Sequence, residues 1–144
     1  KAAHRATVLK VWRLWKSVGG RVVKLSPDVH DQLVARASHL PHLLAAQLVN
    51  HVLDGKSVPQ QAMLCATGFR DTTRIASGSP EMWRDIALAN RQNLAKGLEQ
   101  FIGELRTLQK QVRTGNEKAL ARFFEQAKQR RDAWCDENGF RSPE

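Results

Sequence analysis

The sequence predicts a mostly α-helical fold with one long interface helix, preceded by an isolated helix–strand unit of the kind found in α/β domains. Three observations support this fold class. Apolar residues recur at spacings of three and four along most of the chain. Two Ser-Pro-acid triplets, at 26–28 and 79–81, have the composition of helix starts. Residues 21–25 (RVVKL) have the composition of a short β-strand.

The N-terminal segment is predicted to be part of a larger α/β arrangement. Residues 2–18 have the pattern of an amphipathic helix, which Gly19 and Gly20 end. The strand predicted over 21–25 has no partner strand in the sequence, and one strand does not form a sheet by itself. We therefore interpret residues 1–25 as the last helix–strand pair of an α/β domain, and residues 26–144 as a helical domain.

The helical domain is predicted to begin with a helix over residues 26–54. Ser26 is a good N-cap, and the proline and aspartate that follow it suit the first turn of a helix. Pro41 lies inside the pattern and has no N–H to donate to the carbonyl of Ala37. We therefore expect the helix to kink or break there. Residues 55–78 are punctuated by glycine and proline and predict only short helical turns.

The longest helix is predicted over residues 79–113, with Ser79 as its N-cap. Its apolar seam covers about 30 residues, or roughly 45 Å at 1.5 Å per residue. A small monomer does not usually need so long a seam, so we expect a homodimer through residues 79–113. Thr114 and Glu117 fit a capping box for a last helix over 116–137. The seam consists of Trp83, Ala87, Asn90, Leu94, Leu98, Phe101, Leu105, Leu108 and Val112.

Composition narrows the function classes. The chain of 144 residues has a net charge of +9 at pH 7, and the first 25 residues contain seven Lys and Arg and no acid. Basic proteins attract anions such as nucleic acids, phosphates and carboxylates. A basic helical nucleic-acid-binding or dimerisation module is therefore the alternative to an enzyme. The lack of tyrosine and the placement of the four tryptophans in helical patterns make nucleic-acid binding the less favoured reading.

Other sequence features exclude several kinds of site. No apolar run is long enough to cross a bilayer, so we expect a cytoplasmic protein without a membrane partner. Cys65 and Cys135 lack CxxC spacing and are expected to be free thiols, without a metal. The sequence contains no Gly-rich dinucleotide loop, P-loop or nucleophile elbow. No catalytic residue is therefore assigned in this chain, and its cofactor-binding residues are unknown.

Arg74 is the first candidate binding residue. Its guanidinium is a planar fork that can hold a carboxylate through two hydrogen bonds. It lies five residues before the Ser79 cap, so a helix N-terminus could face the same anion. The alternative is an ordinary salt bridge with Asp71, three residues earlier.

His39 and His42 are the second candidate group, because residues three apart on a helix share a face. Three interpretations stay open: hydrogen bonding to a ligand, a purely structural role in the helix, or zinc binding, for which no third ligand is evident at helical spacing. Trp83 lies in the first turns of a capped helix, where a core position is more common than a ligand contact. His30 and Asp31 form a weaker signal, since Asp31 also suits a helix start.

Four motifs occur in one order along the chain: WxxVGGxV at 15–22, HD at 30–31, SHLPH at 38–42 and GFRDxTRIAxxxPxMWxD at 68–85. From about residue 8 to residue 112 this order resembles the prephenate/arogenate dehydrogenase family. The last two motifs are specific, so their joint occurrence by chance is improbable. The first motif resembles the final αβ unit of the family's Rossmann-type nucleotide-binding domain. The rest resembles the C-terminal helical domain for substrate binding and dimerisation.

The resemblance implies an NAD- or NADP-dependent oxidative decarboxylation of prephenate to 4-hydroxyphenylpyruvate in tyrosine biosynthesis. By similarity, Arg74 would bind a substrate carboxylate, His39, His42 and Asp71 would line the pocket, and Trp83 would close its wall. Clamping the carboxylate that leaves as CO₂ would stabilise the ground state, so Arg74 suits either the other carboxylate of the substrate or a purely binding role. The implied substrate is prephenate or arogenate.

Two departures from the family pattern qualify this implication. The family's hydrogen-bonding histidine belongs to an HPM-type motif in the nucleotide-binding domain, and no such motif occurs in these residues. We therefore expect this chain alone to be inactive and to need the missing N-terminal nucleotide-binding domain. Family members often carry several glycines before the GF motif, whereas this chain has Cys65-Ala66-Thr67-Gly68.

Overall fold

The computed structural model describes residues 4–55 and 58–140, which form two compact units divided between Asn93 and Leu94. The described residues are predominantly helical and contain no β-strand. This confirms the mostly α-helical fold class. The α-helices are α1 (Arg5–Ser17), α2 (Pro27–Val34), α3 (Leu40–Leu53), α4 (Val58–Met63), α5 (Thr67–Thr73), α6 (Pro80–Ala89), α7 (Arg91–Arg113) and α8 (Glu117–Asn138).

The N-terminal segment forms its helix but not its strand. Helix α1 ends as predicted at the glycine pair, where Gly19 has a positive φ of 81° and the N–H of Gly20 donates to the carbonyl of Trp15 at 2.8 Å. Residues 21–26 have no regular secondary structure. The predicted strand over 21–25 is therefore wrong for this chain. The physical reason is that the backbone groups of a strand need a neighbouring strand to pair with.

Pro41 lies just after a local widening of the helix, and the chain stays helical on both sides of it. Ser26 caps α2 by accepting from the N–H of Val29 at 3.4 Å, as predicted. Residues Ala35–His39 then form a π-helical turn, and the N–H of Leu40 donates to the carbonyl of Ala35. Since proline supplies no N–H, the backbone next to it has to adjust. The predicted kink takes the form of a widened turn just before Pro41.

Helix α3 is the centre of the first unit. It packs against α4, α5 and the 3₁₀ turn Arg74–Ser77 that follows α5. Two small side chains, Ala35 and Ala45, are the buried apolar residues among the described part of this unit. Small residues allow helices to approach closely, so α3 can hold the 3₁₀ turn near the π turn.

The helix predicted over 79–113 is two helices, α6 and α7. Ser79 caps α6 as predicted, accepting from the N–H of Met82 at 3.3 Å. At Asn90 the backbone leaves helical geometry, with φ −110° and ψ 26°. Asparagine favours such breaks because its short amide side chain bonds elsewhere instead of supporting the helix. The longest helix is α7, with 23 residues.

The second unit contains most of α7 and all of α8. The capping box predicted for Thr114 and Glu117 is wrong. The side chain of Asn116 caps α8 by accepting from the N–H of Ala119 at 3.1 Å, while the Thr114 hydroxyl donates back to the carbonyl of Lys110 at 2.9 Å. Asn116 occupies the cap position because the turn at Gly115 places it, not Thr114, at the helix start.

Many large apolar side chains remain exposed in this single chain. Examples are Trp12, 43% exposed on α1, and Val112, 61% exposed on α7. Exposed apolar area on this scale marks surfaces that contact other protein. No helix in the described ranges is both long and apolar enough to span a bilayer.

Replacing Asn116 with alanine removes the N-cap of α8 and should cost about 1 kcal/mol of stability. Thermal denaturation followed by circular dichroism measures the change. Thr114→Ala is the matched control, since its hydroxyl only bonds back into the end of α7, and it should stay within about 0.5 kcal/mol of the parent. A larger loss for Thr114→Ala than for Asn116→Ala would contradict this assignment of the cap.

Candidate functional site

The first unit brings Trp83 of α6 together with the two histidines that flank Pro41. The rings of His42 and Trp83 stack with centroids 3.6 Å apart and an interplanar angle of 23°. His39 meets the same indole edge-on, with centroids 6.3 Å apart and an angle of 76°. Aromatic rings contact each other in proteins in both stacked and edge-on arrangements. Both histidines and Trp83 are half-buried, so the cluster is ordered by its own contacts yet open to solvent.

The start of α6 positions Trp83. Its backbone N–H donates to the carbonyl of Ser79 at 3.1 Å, so the indole leaves the first turn of α6. Gly78 leaves the space that the indole occupies. A Cβ added at Gly78 would lie 2.5 Å from Nε1 of Trp83, which is closer than atoms can approach. Glycine at position 78 is therefore a packing requirement of the Trp83 ring.

The ring nitrogens of the two histidines have different partners. Nδ1 of His42 lies 3.0 Å from the carbonyl oxygen of Ser38. Nδ1 of His39 lies 3.3 Å from the side-chain nitrogen of Asn90. Burial lowers the pKa of His39 below its ordinary value; the Asp31 carboxylate opposes this effect, and His30 and His42 reinforce it. His39 is therefore neutral at neutral pH.

Asn90 is a residue of this cluster that the sequence analysis assigned to the apolar seam. Its side chain is 7% exposed and fully used. The amide nitrogen also donates to the backbone carbonyl of Asp31 at 2.8 Å, and the amide oxygen accepts from Asn93 at 2.8 Å. A polar residue within a seam of apolar residues was the signal that could have identified it.

The two remaining candidates, Arg74 and Asp71, are not joined to each other. Asp71 forms an exposed ion pair with its neighbour Arg70, with Nε and Oδ1 3.1 Å apart. Arg74 begins the 3₁₀ turn that packs on α3, and its exposed guanidinium has no ion pair or side-chain hydrogen bond to the described residues. The alternative salt bridge between Arg74 and Asp71 is thus not formed. His30 and Asp31 pair on the surface, with Nδ1 and Oδ1 3.0 Å apart.

A metal site finds no support in the described part of the chain. No group of three or more His, Cys, Asp or Glu side chains is arranged there to hold an ion. Cys65 and Cys135 are free thiols. The zinc interpretation of His39 and His42 therefore lacks a third ligand. The cluster offers an aromatic wall and two ring nitrogens. The 3₁₀ turn that packs on α3 begins at Arg74, whose guanidinium has no ion pair among the described residues.

Comparison with protein families identifies this architecture. Residues 26–126 match the family described as prephenate dehydrogenase, dimerization domain. The match covers the helical part of the chain from the Ser26 cap into α8. The chain belongs to this family.

Individual relatives agree with the family match. The chain is 36% identical over 129 residues to a prephenate dehydrogenase of Bacillus subtilis, covering 89% of this chain and 35% of the relative. A crystal structure of prephenate dehydrogenase from A. aeolicus, in complex with hydroxyphenyl propionate and NAD⁺, superposes with a TM-score of 0.83 at 34% identity. That superposition covers 92% of this chain and 47% of the other.

A second solved structure, the arogenate dehydrogenase of Synechocystis, has a TM-score of 0.81 at 27% identity. It is matched over 91% of this chain and 48% of its own length. The chain therefore spans about a third of the Bacillus subtilis relative and about half of each of these two solved chains.

Gly78→Ala should push the Trp83 indole off the His42 ring, because the added methyl would lie only 2.5 Å from Nε1 of Trp83. Overpacking of this kind costs about 1–3 kcal/mol. The measurement is thermal stability together with the indole N–H resonance of Trp83 in a ¹H–¹⁵N spectrum. Gly68→Ala is the control, because a Cβ there meets nothing within 4 Å. Equal spectra for the two variants would show that the indole does not need the space at Gly78.

Proposed function

We propose that this chain is the substrate-binding and dimerisation part of an NAD(P)-dependent prephenate dehydrogenase, which oxidatively decarboxylates prephenate to 4-hydroxyphenylpyruvate in tyrosine biosynthesis. The observation that carries the proposal is the cluster of His39, His42 and Trp83, together with the 3₁₀ turn on α3 that begins at Arg74, whose guanidinium has no ion pair among the described residues. A small, ring-shaped dicarboxylate needs an aromatic wall, hydrogen-bonding groups and a cation, and this part of the fold supplies all three.

Arg74 is proposed to bind a carboxylate of the substrate. An exposed guanidinium without an internal ion pair is available for a bidentate contact, and its fork fits a carboxylate. We assign it the carboxylate that remains on the product, because stabilising the one that leaves as CO₂ would oppose the reaction. The net charge of +9 would also favour the approach of a dianionic ligand.

His39 and His42 are proposed to form hydrogen bonds with the substrate, and Trp83 to form the wall of the pocket. Asp71 is proposed to act indirectly, since its carboxylate is paired with Arg70 and exposed. It would limit how far the Arg70 side chain can move at the pocket rim. Either prephenate or arogenate is compatible with this set of groups, because the two differ only at a keto or amino group.

The cofactor, NAD or NADP, is proposed to bind outside these residues. The sequence has no Gly-rich phosphate-binding loop between a strand and a helix, so these residues do not fit a dinucleotide. The bound cofactor would accept the hydride released from the substrate ring. The A. aeolicus relative, whose structure is described as a complex with NAD⁺, supports NAD as the cofactor of the whole enzyme.

Residues 1–25 are proposed to belong to the nucleotide-binding domain. Helix α1 has no buried residue, and with residues 22–25 it lines an open groove of about 1050 Å³. Val8, Trp12 and Val23 are among the apolar side chains along this groove. A helix and an extended segment with so much uncovered apolar surface would complete their packing against the rest of an α/β domain.

Dimerisation is proposed to use α6 and α7, within residues 79–113. The family to which the chain belongs is described as a dimerization domain. On α7, Leu105 is 46% exposed and Val112 is 61% exposed, although both belong to the apolar seam. An amphipathic helix with an uncovered apolar stripe buries it against a partner helix. A second copy of this chain is the proposed partner.

Arg74→Ala should weaken prephenate binding by tenfold or more, since a charge-assisted bidentate contact contributes about 1.5–3 kcal/mol. Its melting temperature should change little, because Arg74 has no ion pair to lose within the described residues. Isothermal titration of prephenate into the protein measures affinity, and Arg84→Ala is the matched control, because Arg84 is exposed and pairs with Asp85 outside the proposed set of binding residues. Unchanged affinity with a clear loss of stability would assign Arg74 a structural role instead.

Leu105→Glu should convert the dimer to a monomer at micromolar concentration, because it places a charge in the apolar interface. Light scattering coupled to size-exclusion chromatography measures the mass. Gln92→Glu introduces the same charge on an exposed position of α7 that faces away from the seam, and it should leave the dimer intact. A monomeric parent protein, or two variants with the same mass, would rule out this interface.

A further inference from the structure

We propose that Asn90 is a positioning residue that fixes the tautomer of His39, so that His39 and His42 offer a ligand opposite groups, one hydrogen-bond donor and one acceptor. The inference concerns the free protein and follows from its hydrogen-bond network. Its consequence for substrate rests on the proposed function given above.

The orientation of the Asn90 amide is determined by the backbone carbonyl of Asp31. One amide end lies 2.8 Å from that carbonyl oxygen, which can only accept, so this end is the NH₂ group. The other end is then the oxygen, and the side-chain nitrogen of Asn93, 2.8 Å away, donates to it. A flipped Asn90 amide would set its oxygen against the carbonyl oxygen of Asp31.

The orientation of Asn90 determines the protonation of His39. An NH₂ group has two hydrogens, and the one not used by Asp31 is available to Nδ1 of His39 at 3.3 Å. Nδ1 therefore accepts and carries no proton. In the neutral ring the proton is then on Nε2, which makes Nε2 of His39 a donor.

His42 has the opposite arrangement. Its Nδ1 lies 3.0 Å from the carbonyl oxygen of Ser38, which can only accept. Nδ1 of His42 therefore carries the proton and donates it. In the neutral ring Nε2 of His42 is left without a proton and is an acceptor.

Both Nε2 atoms are free to meet a ligand. Within the described residues neither has a hydrogen-bond partner, and neither is among the buried unpaired polar atoms. Both rings contact Trp83, so the two atoms belong to one cluster. The pair suits a ligand with a carbonyl or carboxylate oxygen for His39, and a hydroxyl or ammonium hydrogen for His42.

The same network keeps His39 neutral. A proton on Nδ1 would face the NH₂ group of Asn90, so two donors would point at each other. Burial acts in the same direction, as do the neighbouring His30 and His42, and the carboxylate of Asp31 opposes them. Of the groups in contact with His39, Asn90 is the one whose chemistry can be reversed by a nearly isosteric substitution.

The test is ¹⁵N histidine spectroscopy of the ligand-free protein across pH, with His39→Gln and His42→Gln for assignment. We expect His39 as the Nε2–H tautomer and His42 as the Nδ1–H tautomer at neutral pH. Asn90→Asp replaces the donor by an acceptor, so His39 should change to Nδ1–H and its pKa should rise. Asn50→Asp, on the exposed end of α3, introduces the same charge and should change neither.

The outcomes separate this proposal from the proposed function. Should Asn90→Asp not fold, the parent spectrum still decides, because His39 as Nδ1–H or His42 as Nε2–H would overturn the inference. Prephenate titration is the independent arm. The expected tautomers without prephenate binding would leave this inference standing and remove the substrate assignment. Prephenate binding by a protein with other tautomers would overturn this inference and leave the substrate assignment standing.

Discussion

The amide of Asn90 connects three parts of the first unit through one buried side chain. The amide donates to a backbone carbonyl of α2 and contacts His39 in the π turn. The backbone of Asn90 leaves helical geometry, and this separates α6 from α7. A buried amide without partners would cost about 1–3 kcal/mol, so the positions of these parts are coupled. The position of Trp83 against the histidines depends on these contacts, because Asn90 is the C-cap of α6, the helix that carries Trp83.

Pro41 and Gly78 both shape the cluster of His39, His42 and Trp83. Pro41 lacks the N–H that a regular helix would use, and the preceding turn, which contains His39, is widened. Gly78 leaves the space into which the indole of Trp83 fits. One residue lacks a donor and the other lacks a side chain, and both allow an arrangement that ordinary helical residues would prevent.

Charge and exposure indicate which surfaces of the chain are incomplete by themselves. Arg74 has no ion pair within the described residues, whereas Arg70 and Arg84 each pair with the aspartate that follows them. On α1 and α7, apolar side chains stay exposed. A free guanidinium suits an anionic ligand, and exposed apolar stripes suit protein partners.

The sequence by itself determined the helical class, the caps at Ser26 and Ser79, the disturbance at Pro41 and the motifs at 38–42 and 68–85. These features depend on local chemistry, namely a side-chain oxygen near free N–H groups, a missing donor and the spacing of residues on a helix. The strand predicted over 21–25 was wrong because a strand needs a partner strand that local pattern does not supply.

Only the tertiary structure decided that Asn90 breaks the long helix, that Asp71 pairs with Arg70, and that Trp83 stacks on His42. Each depends on a choice between partners: the carbonyl that Asn90 reaches lies 59 residues away in sequence. The periodicity of a sequence predicts which residues share a helix face, but it does not predict which part of the protein packs against that face. The hydrogen-bonding roles of the two histidines follow from such distant contacts.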